Sequence, residues 1–322
     1  MRELPQAVVI SGPTGIGKSQ AALELAKAVP LEIISVDSVQ VYRGLDIGTA
    51  KPDALARRAV AHHLIDIRDA ADSYSAGDFV ADAGRLIGEI SNRGRLPVLV
   101  GGTMLYFRAL FGGLAAMPLG DTQFRQHVDN RAALHGWPTL HAELAAIDPI
   151  AASRIHPNDP QRIQRALEVH ALTGRTITQL QAETRAEPVA SFLRIALVPS
   201  SRSELHERLR RRLTAMFAAG FVGEVQALHA RADLSRRSNA VRAVGYQQLW
   251  QHLDGDFGLE QAQARVLAAT RQLAKRQLTW INNDPAWLRV DADAATRRPT
   301  VCELVRDFLS HAWLPPDQRA IV

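Results

Sequence analysis

A single cysteine, Cys302, stands in the 322 residues. One thiol excludes an intrachain disulfide framework and a cysteine-based zinc site. No apolar run reaches the roughly 18 residues that a membrane-spanning helix needs. The chain enters a strand-like segment almost at once, without the charged, apolar and small-residue regions of a secretory leader. A cytoplasmic protein is expected. Internal repeats and low-complexity tracts are missing too, which sets aside solenoids and compositional linkers. Strands are missing from one long stretch: between about Leu119 and Pro188 nothing alternates convincingly at period two. What is present in quantity is apolar residue, 47% of the chain, enough for a large core in one big domain or two modest ones.

The net charge is +5 and the sequence pI about 9.8. Its distribution says more than its size. From Ser201 to Asn282 there are thirteen Lys and Arg against seven Asp and Glu, so the remainder is near neutral. A basic segment of this kind suits a polyanion, although a solvated helical surface carries the same signature.

The most informative stretch is Gly12, Pro13, Thr14, Gly15, Ile16, Gly17, Lys18 and Ser19. It spells G-x-x-x-x-G-K-S, after the apolar run Ala7–Ile10 and before a helical pattern. Glycines let backbone N–H groups converge on an anion, and the helix N-terminus adds its positive end. Lys18 reaches the outer phosphate, and the Ser19 hydroxyl is placed to ligate Mg²⁺. The motif specifies a diphosphate or triphosphate without saying what carries it.

Alternation of strand and helix continues through the N-terminal third. Leu31–Val36, His62–Ile67 and Leu96–Val100 read as strands, and Ser75–Ile90 as a helix capped by Ser75. This order predicts an α/β fold, a P-loop NTPase-like parallel sheet flanked by helices. Ligands in such sheets sit at the carboxyl ends of the strands. The glycine loop, Asp37 and Gly101–Thr103 are therefore expected around one crevice. Residues 119–189 read as an all-helical insertion domain, punctuated by Pro138, Pro149, Pro157, Pro160 and Gly174. The core is assigned to 1–118 and 190–322, with a strand at Phe192–Val198, a series of C-terminal helices, and a short strand at Ala286–Val290.

Asp37 ends the second strand, where a carboxylate can bind Mg²⁺, hold water or act as a general base; it can equally cap a turn. The apolar strand that in many P-loop NTPases ends in an acid ends here in Gly101-Gly102-Thr103. Thr103 can donate to a phosphate oxygen or a substrate amine, or cap the helix that follows. Arg242–Gln247 offers an arginine to clamp phosphate and Tyr246 to stack on a base. In Arg271–Trp280, helical spacing aligns Gln272, Arg276 and Thr279 beside Arg271 and Lys275, with Leu273, Leu278 and Trp280 free to face inward. Arg162 and Arg165 share a face in the helical segment.

These pieces resemble, in order, the bacterial tRNA dimethylallyltransferases, also called isopentenyl-diphosphate:tRNA transferases. The matching stretches are Gly12–Ser19, Asp37–Pro52, Val100–Tyr106, Asn158–Glu168, Arg242–Gln247 and Lys275–Trp280. They span nearly the whole chain, and Asp37–Pro52 is the most diagnostic. The resemblance implies transfer of a dimethylallyl group from its diphosphate to the N⁶ amine of the adenosine just 3′ of the anticodon, in tRNAs reading codons that begin with U. It implies that Gly12–Ser19 hold the diphosphate, with Mg²⁺ at Ser19, and that Asp37, Thr103 and Lys18 are catalytic, Asp37 as the base. It places tRNA contacts at Asp37, Ser38, Val39, Gln40, Thr103 and Arg125, at Gln161, Arg162, Ile163, Gln164 and Arg165, at Arg242, Ala243, Val244, Gly245, Tyr246 and Gln247, and at Lys275, Arg276, Gln277, Leu278, Thr279, Trp280, Ile281 and Asn282. The helical insertion would grip the anticodon stem-loop.

The chain departs from the pattern at Ile281-Asn282-Asn283, where many relatives carry an arginine, and it lacks the zinc-finger extension of eukaryotic relatives. A monomer without membrane or obligate protein partners is the default. Two other classes fit part of the sequence. A P-loop kinase of a small metabolite explains Gly12–Ser19 and Asp37 but not the basic helix. A nucleotide-gated RNA-binding protein needs the basic surface but not Asp37.

Overall fold

A computed structural model describes residues 4–310 apart from 114, 116, 119 and 184–187. β1 (Gln6–Ser11) passes through the glycine loop into α1 (Lys18–Leu25), followed by β2 (Leu31–Val36), α2 (Ala54–Ala59), β3 (His62–His63), α3 (Ala76–Asn92), β4 (Leu96–Gly101) and α4 (Met104–Gly112). Helices alone follow among the described residues: α5 (Thr122–His135), α6 (Trp137–Ile147), α7 (Pro149–Arg154), α8 (Pro160–Thr173) and α9 (Ile177–Ala182). β5 (Ser191–Val198) then returns to the sheet. α10 (Arg202–Ala218), α11 (Phe221–His229), α12 (Tyr246–Leu253), α13 (Leu259–Asn282), β6 (Leu288–Asp291) and α14 (Arg297–Ser310) complete the order.

All neighbouring strands are parallel, in the order β3-β2-β4-β1-β5-β6. Such a sheet is covered on both faces, so its strands read as continuous apolar runs. Every residue of β2 and β4 is buried, and Val8, Val9 and Ile10 of β1 have no exposed surface. The α/β sheet expected from the sequence is the fold observed.

One strand is shorter than expected. His62–Ile67 pairs with β2 only at His62 and His63. Leu64 and Asp66 take left-handed φ of 62° and 59°, which a strand cannot accommodate. Asp66 is recruited instead by Lys51 and Arg57, at 2.6 and 2.8 Å. Helix starts follow local chemistry closely. Ser75 and Asp78 form a reciprocal capping box at α3. Asp121, Asp148 and Asp159 each accept backbone N–H groups at the starts of α5, α7 and α8.

The chain divides into two units, residues 1–108 with 188–322, and residues 109–187. The first junction falls within α4 rather than at 118/119. The helical unit has its own core, built from Val128, Leu140, Leu144, Ile163 and neighbouring side chains. At its centre Glu168 is fully buried. It accepts from Arg125 Nε at 2.8 Å, Arg165 Nη1 at 2.5 Å and the Asp121 backbone at 2.8 Å. Burial pushes this carboxyl up, but the Arg125 and Arg165 hydrogen bonds outweigh it and hold the pKa below its ordinary value. Glu168→Ala leaves two guanidinium groups beside an empty buried site. It is expected to destabilise the helical unit by about 3 kcal/mol, measurable by urea unfolding; no loss of stability would contradict this role.

Candidate active site

The carboxyl ends of β1, β2 and β4 meet around a cavity of about 470 Å³. The glycine loop supplies one side. Gly17 precedes α1 with φ 98°, a conformation that favours glycine. Lys18 folds back over the loop, and its Nζ donates to the carbonyls of Gly12 at 3.0 Å and Pro13 at 2.9 Å. Burial and the repulsion of Arg212 lower its pKa to about 8, against the attraction of Asp37.

Asp37 follows β2. Its Oδ1 accepts from the backbone of Val39 at 2.8 Å and Gln40 at 3.2 Å, a local turn that fixes the carboxylate at the strand end. Thr103, one residue past the glycine pair, accepts from the Ser38 backbone at 3.1 Å. Gln40 lies behind them, donating to the Thr49 carbonyl at 3.3 Å and accepting from Ser35 Oγ at 3.0 Å. The crevice expected from the strand order is therefore present, with Thr14, Lys18, Asp37, Ser38, Val39 and Thr103 on its wall.

Several expected contact residues stand elsewhere or do other work. Arg242, Ala243, Val244, Gly245, Arg276 and Trp280 line the same cavity. Tyr246 lines it too but is only 1% exposed. Its ring packs edge-on against Phe221 and its hydroxyl donates to Glu224 at 2.5 Å, so it offers no face for a base to stack on. Trp280, expected to face inward, is 44% exposed, with the Arg108 guanidinium 5.9 Å from its ring. Gln277 is buried. It accepts from the Thr14 backbone and donates to the Gly102 carbonyl, both at 2.8 Å, and so ties the glycine loop to the end of β4. A Cβ on Gly102 would lie 2.3 Å from this amide, which explains that glycine. Ile281 and Ile163 are fully buried in their own units. Gln247, Lys275, Leu278, Thr279 and Asn282 lie off the cavity wall. In the helical unit, Arg125 and Arg165 are held by Glu168, Gln164 donates to Asp129 at 2.8 Å, and Arg162 is exposed.

Arg212 was not singled out by the sequence, where it ends the run Arg210-Arg211-Arg212. It lines the cavity and donates to Thr14 Oγ1 at 3.2 Å and the Thr49 carbonyl at 3.5 Å. Burial lowers its pKa, against the attraction of Asp37. The signal that could have found it is position. Leu205, Leu209, Arg212, Leu213 and Met216 share one face at helical spacing, and an arginine on an apolar stripe needs a reason.

Gln277→Ala would strand a half-buried donor, the Thr14 N–H, and a half-buried acceptor, the Gly102 carbonyl. It should lower stability by about 1–3 kcal/mol in thermal unfolding and weaken anion binding by the loop more than Thr279→Ala does. Equal effects of the two would show that the tie is dispensable.

The chain matches the IPP transferase family model over residues 40–284 and the isopentenyl transferase model over residues 5–71. It is 53% identical to the tRNA dimethylallyltransferase of Methylococcus capsulatus over 300 residues, 92% of this chain and 96% of that one. It is 52% identical to the same enzyme of Bordetella pertussis, over 91% of this chain and 96% of that one. Among solved structures, the tRNA isopentenylpyrophosphate transferase of Bacillus halodurans superposes with a TM-score of 0.68 at 37% identity, covering 95% and 97% of the two chains. A eukaryotic dimethylallyltransferase acting on tRNA superposes with a TM-score of 0.77 at 26% identity, covering 95% of this chain and 80% of that one. Site geometry, family model and relatives agree, and the chain belongs to the IPP transferase family.

Proposed function

We propose that this protein is a tRNA dimethylallyltransferase. It moves the dimethylallyl group of dimethylallyl diphosphate to the N⁶ amine of the adenosine 3′ to the anticodon, in tRNAs reading codons that begin with U. The observation that carries the reading is one cavity in which a phosphate loop, a single carboxylate and an apolar wall face each other. In the reaction the allylic C1–O bond breaks and a C1–N⁶ bond forms. The electron pair leaves with the diphosphate, and the N⁶ proton leaves to a base.

The donor is allylic, so departure of diphosphate leaves a delocalised cationic carbon. Help is then mainly stabilisation of the leaving group, which Lys18, Arg212 and N–H groups of the glycine loop would supply. Adenine N⁶ is a weak nucleophile because its lone pair is delocalised into the ring. Asp37 would take its proton as the new bond forms, with Thr103 orienting the amine. The target base must leave its stack, and anticodon-loop bases are cheaper to extrude than duplex bases. Arg242, Arg276 and Trp280 at the cavity, with exposed Arg162 of the helical unit, are the candidates for gripping the RNA.

Ser19 is exposed at the start of α1, and the described residues hold no cluster of three metal-ligating side chains. A single hydroxyl ligand suits Mg²⁺, which keeps its waters and takes phosphate oxygens from the substrate. Ser19 would hold the ion, which when bound would neutralise charge on the departing diphosphate.

A transfer assay tests the reading: protein, Mg²⁺, radiolabelled dimethylallyl diphosphate and an anticodon stem-loop, with labelled ATP in a parallel reaction. Label should enter RNA, and Asp37→Ala should cut the rate by about 10²-fold or more while RNA binding stays within a few-fold. Label absent from RNA, with phosphate moved from ATP to a metabolite, would instead identify a kinase. The depressed Lys18 pKa adds a pH dependence. In the free enzyme Lys18 loses its charge as pH rises through about 8. Accordingly kcat/KM for the diphosphate donor should fall above that pH, and kcat at saturation should fall only at higher pH. A flat profile between pH 7 and 9.5 would contradict this assignment.

A further inference from the structure

One apolar side of the cavity follows a single helix face. It starts at the phosphate loop, where Leu209 of α10 packs so closely that a Cβ on Gly15 would lie 2.7 Å from it. It continues along the same helix face through Leu213 to Met216, and Phe221, the first residue of α11 and only 1% exposed, lines the same cavity beyond them. A chain whose diphosphate lies in the loop and whose tail follows this wall meets the Phe221 ring.

That ring is held on several sides. The backbone of Gly48 approaches so closely that a Cβ there would fall 2.2 Å from one ring carbon and 2.5 Å from another. A Cβ on Gly245, whose φ is 95°, would fall 2.9 Å from the ring. Tyr246 packs edge-on with centroids 5.1 Å apart, and Phe217 lies 5.9 Å away. The surroundings are themselves tied. The Glu224 carboxylate accepts the backbone N–H groups of Asp46 at 2.8 Å, Ile47 at 2.7 Å and Gly48 at 3.0 Å, together with the Tyr246 hydroxyl. Gly48 and Tyr246 are thus drawn to one half-buried carboxylate, with Phe221 clasped between them. Close-packed interiors of this kind give way only at a cost that a single extra methylene already registers.

We infer that Phe221, fixed by the Gly48–Glu224–Tyr246 clasp, closes the prenyl pocket and restricts the donor to a five-carbon chain. This rests on the transferase reading above. A ten-carbon allylic diphosphate presents the same reacting carbon and leaving group, so its exclusion is a matter of room at the far end of the chain. Shortening Phe221 removes the obstacle without touching the phosphate loop or Asp37.

The test compares dimethylallyl and geranyl diphosphates as donors to an anticodon stem-loop, for the wild-type protein, Phe221→Ala and Phe221→Leu. Geranyl diphosphate is also titrated as an inhibitor of dimethylallyl transfer. The wild-type protein should use the geranyl donor at least about 100-fold less well in kcat/KM, and bind it weakly as an inhibitor. Phe221→Ala should raise the absolute geranyl rate by about 10-fold or more and lower its inhibition constant, while dimethylallyl transfer falls; Phe221→Leu should do so to a smaller extent. A merely loosened wall would lower both rates, so a gain with the longer donor reports the pocket end. If the alanine variant does not fold, the leucine variant decides. An unchanged geranyl rate and inhibition constant in the folded variants, or efficient geranyl use by the wild-type protein, overturns the inference. Failure of the wild-type protein with dimethylallyl diphosphate would overturn the transferase reading instead.

Discussion

Two cations withdrawn from water govern this site. Lys18 and Arg212 both lose basicity to burial, and each feels Asp37 as a counter-charge. Asp37 is the sole acid among the residues lining the cavity, against Lys18, Arg212, Arg242 and Arg276. Keeping charge of one sign in a low-dielectric pocket is unfavourable unless something negative arrives. A diphosphate meets that requirement. Lys18 folds onto the Gly12 and Pro13 carbonyls, whose dipoles offset part of its charge.

The scaffold makes the imbalance tolerable by fixing distances. Parallel pairing of β1, β2 and β4 sets their carboxyl ends side by side, and Gln277 from α13, far along the chain, ties two of those ends together. Thr103 does the same between β4 and the Asp37 turn. Each tie satisfies backbone groups that the end of a sheet leaves unpaired. The C-terminal helices thus take part in the glycine-loop crevice as well as carrying the basic segment. Glu224 extends the same logic to the far wall, where one carboxylate organises a loop and an aromatic pair.

Much of this was legible in the sequence because it rests on local rules. The glycine loop, the strand ending in Asp37 and the Gly101–Thr103 corner are short segments whose spacing carries their geometry, and the sheet order brings them together. His62–Ile67 misled because its apolar residues carry strand propensity, while Leu64 and Asp66 adopt left-handed backbone and Asp66 pairs with Lys51 and Arg57. Tyr246 misled because a tyrosine beside arginine and glycine is consistent with a base platform, whereas its ring and hydroxyl are committed to Phe221 and Glu224, more than twenty residues away in sequence. Arg212 was hidden within a basic run that resembles a solvated face. Only the packing of α10 against the phosphate loop distinguishes it from Arg210, which pairs with Glu207 at the surface. Long-range contacts of this sort leave no local pattern.

The most direct test of the account is a crystal structure with an unreactive thio-analogue of dimethylallyl diphosphate and an anticodon stem-loop bound together. The account predicts the diphosphate on the Gly12–Ser19 loop, within hydrogen-bond reach of Lys18 and Arg212. It also predicts adenine N⁶ within hydrogen-bond reach of Asp37 and the prenyl chain directed along the α10 wall. A diphosphate bound away from that loop, or an adenine amine facing some other base, would contradict it.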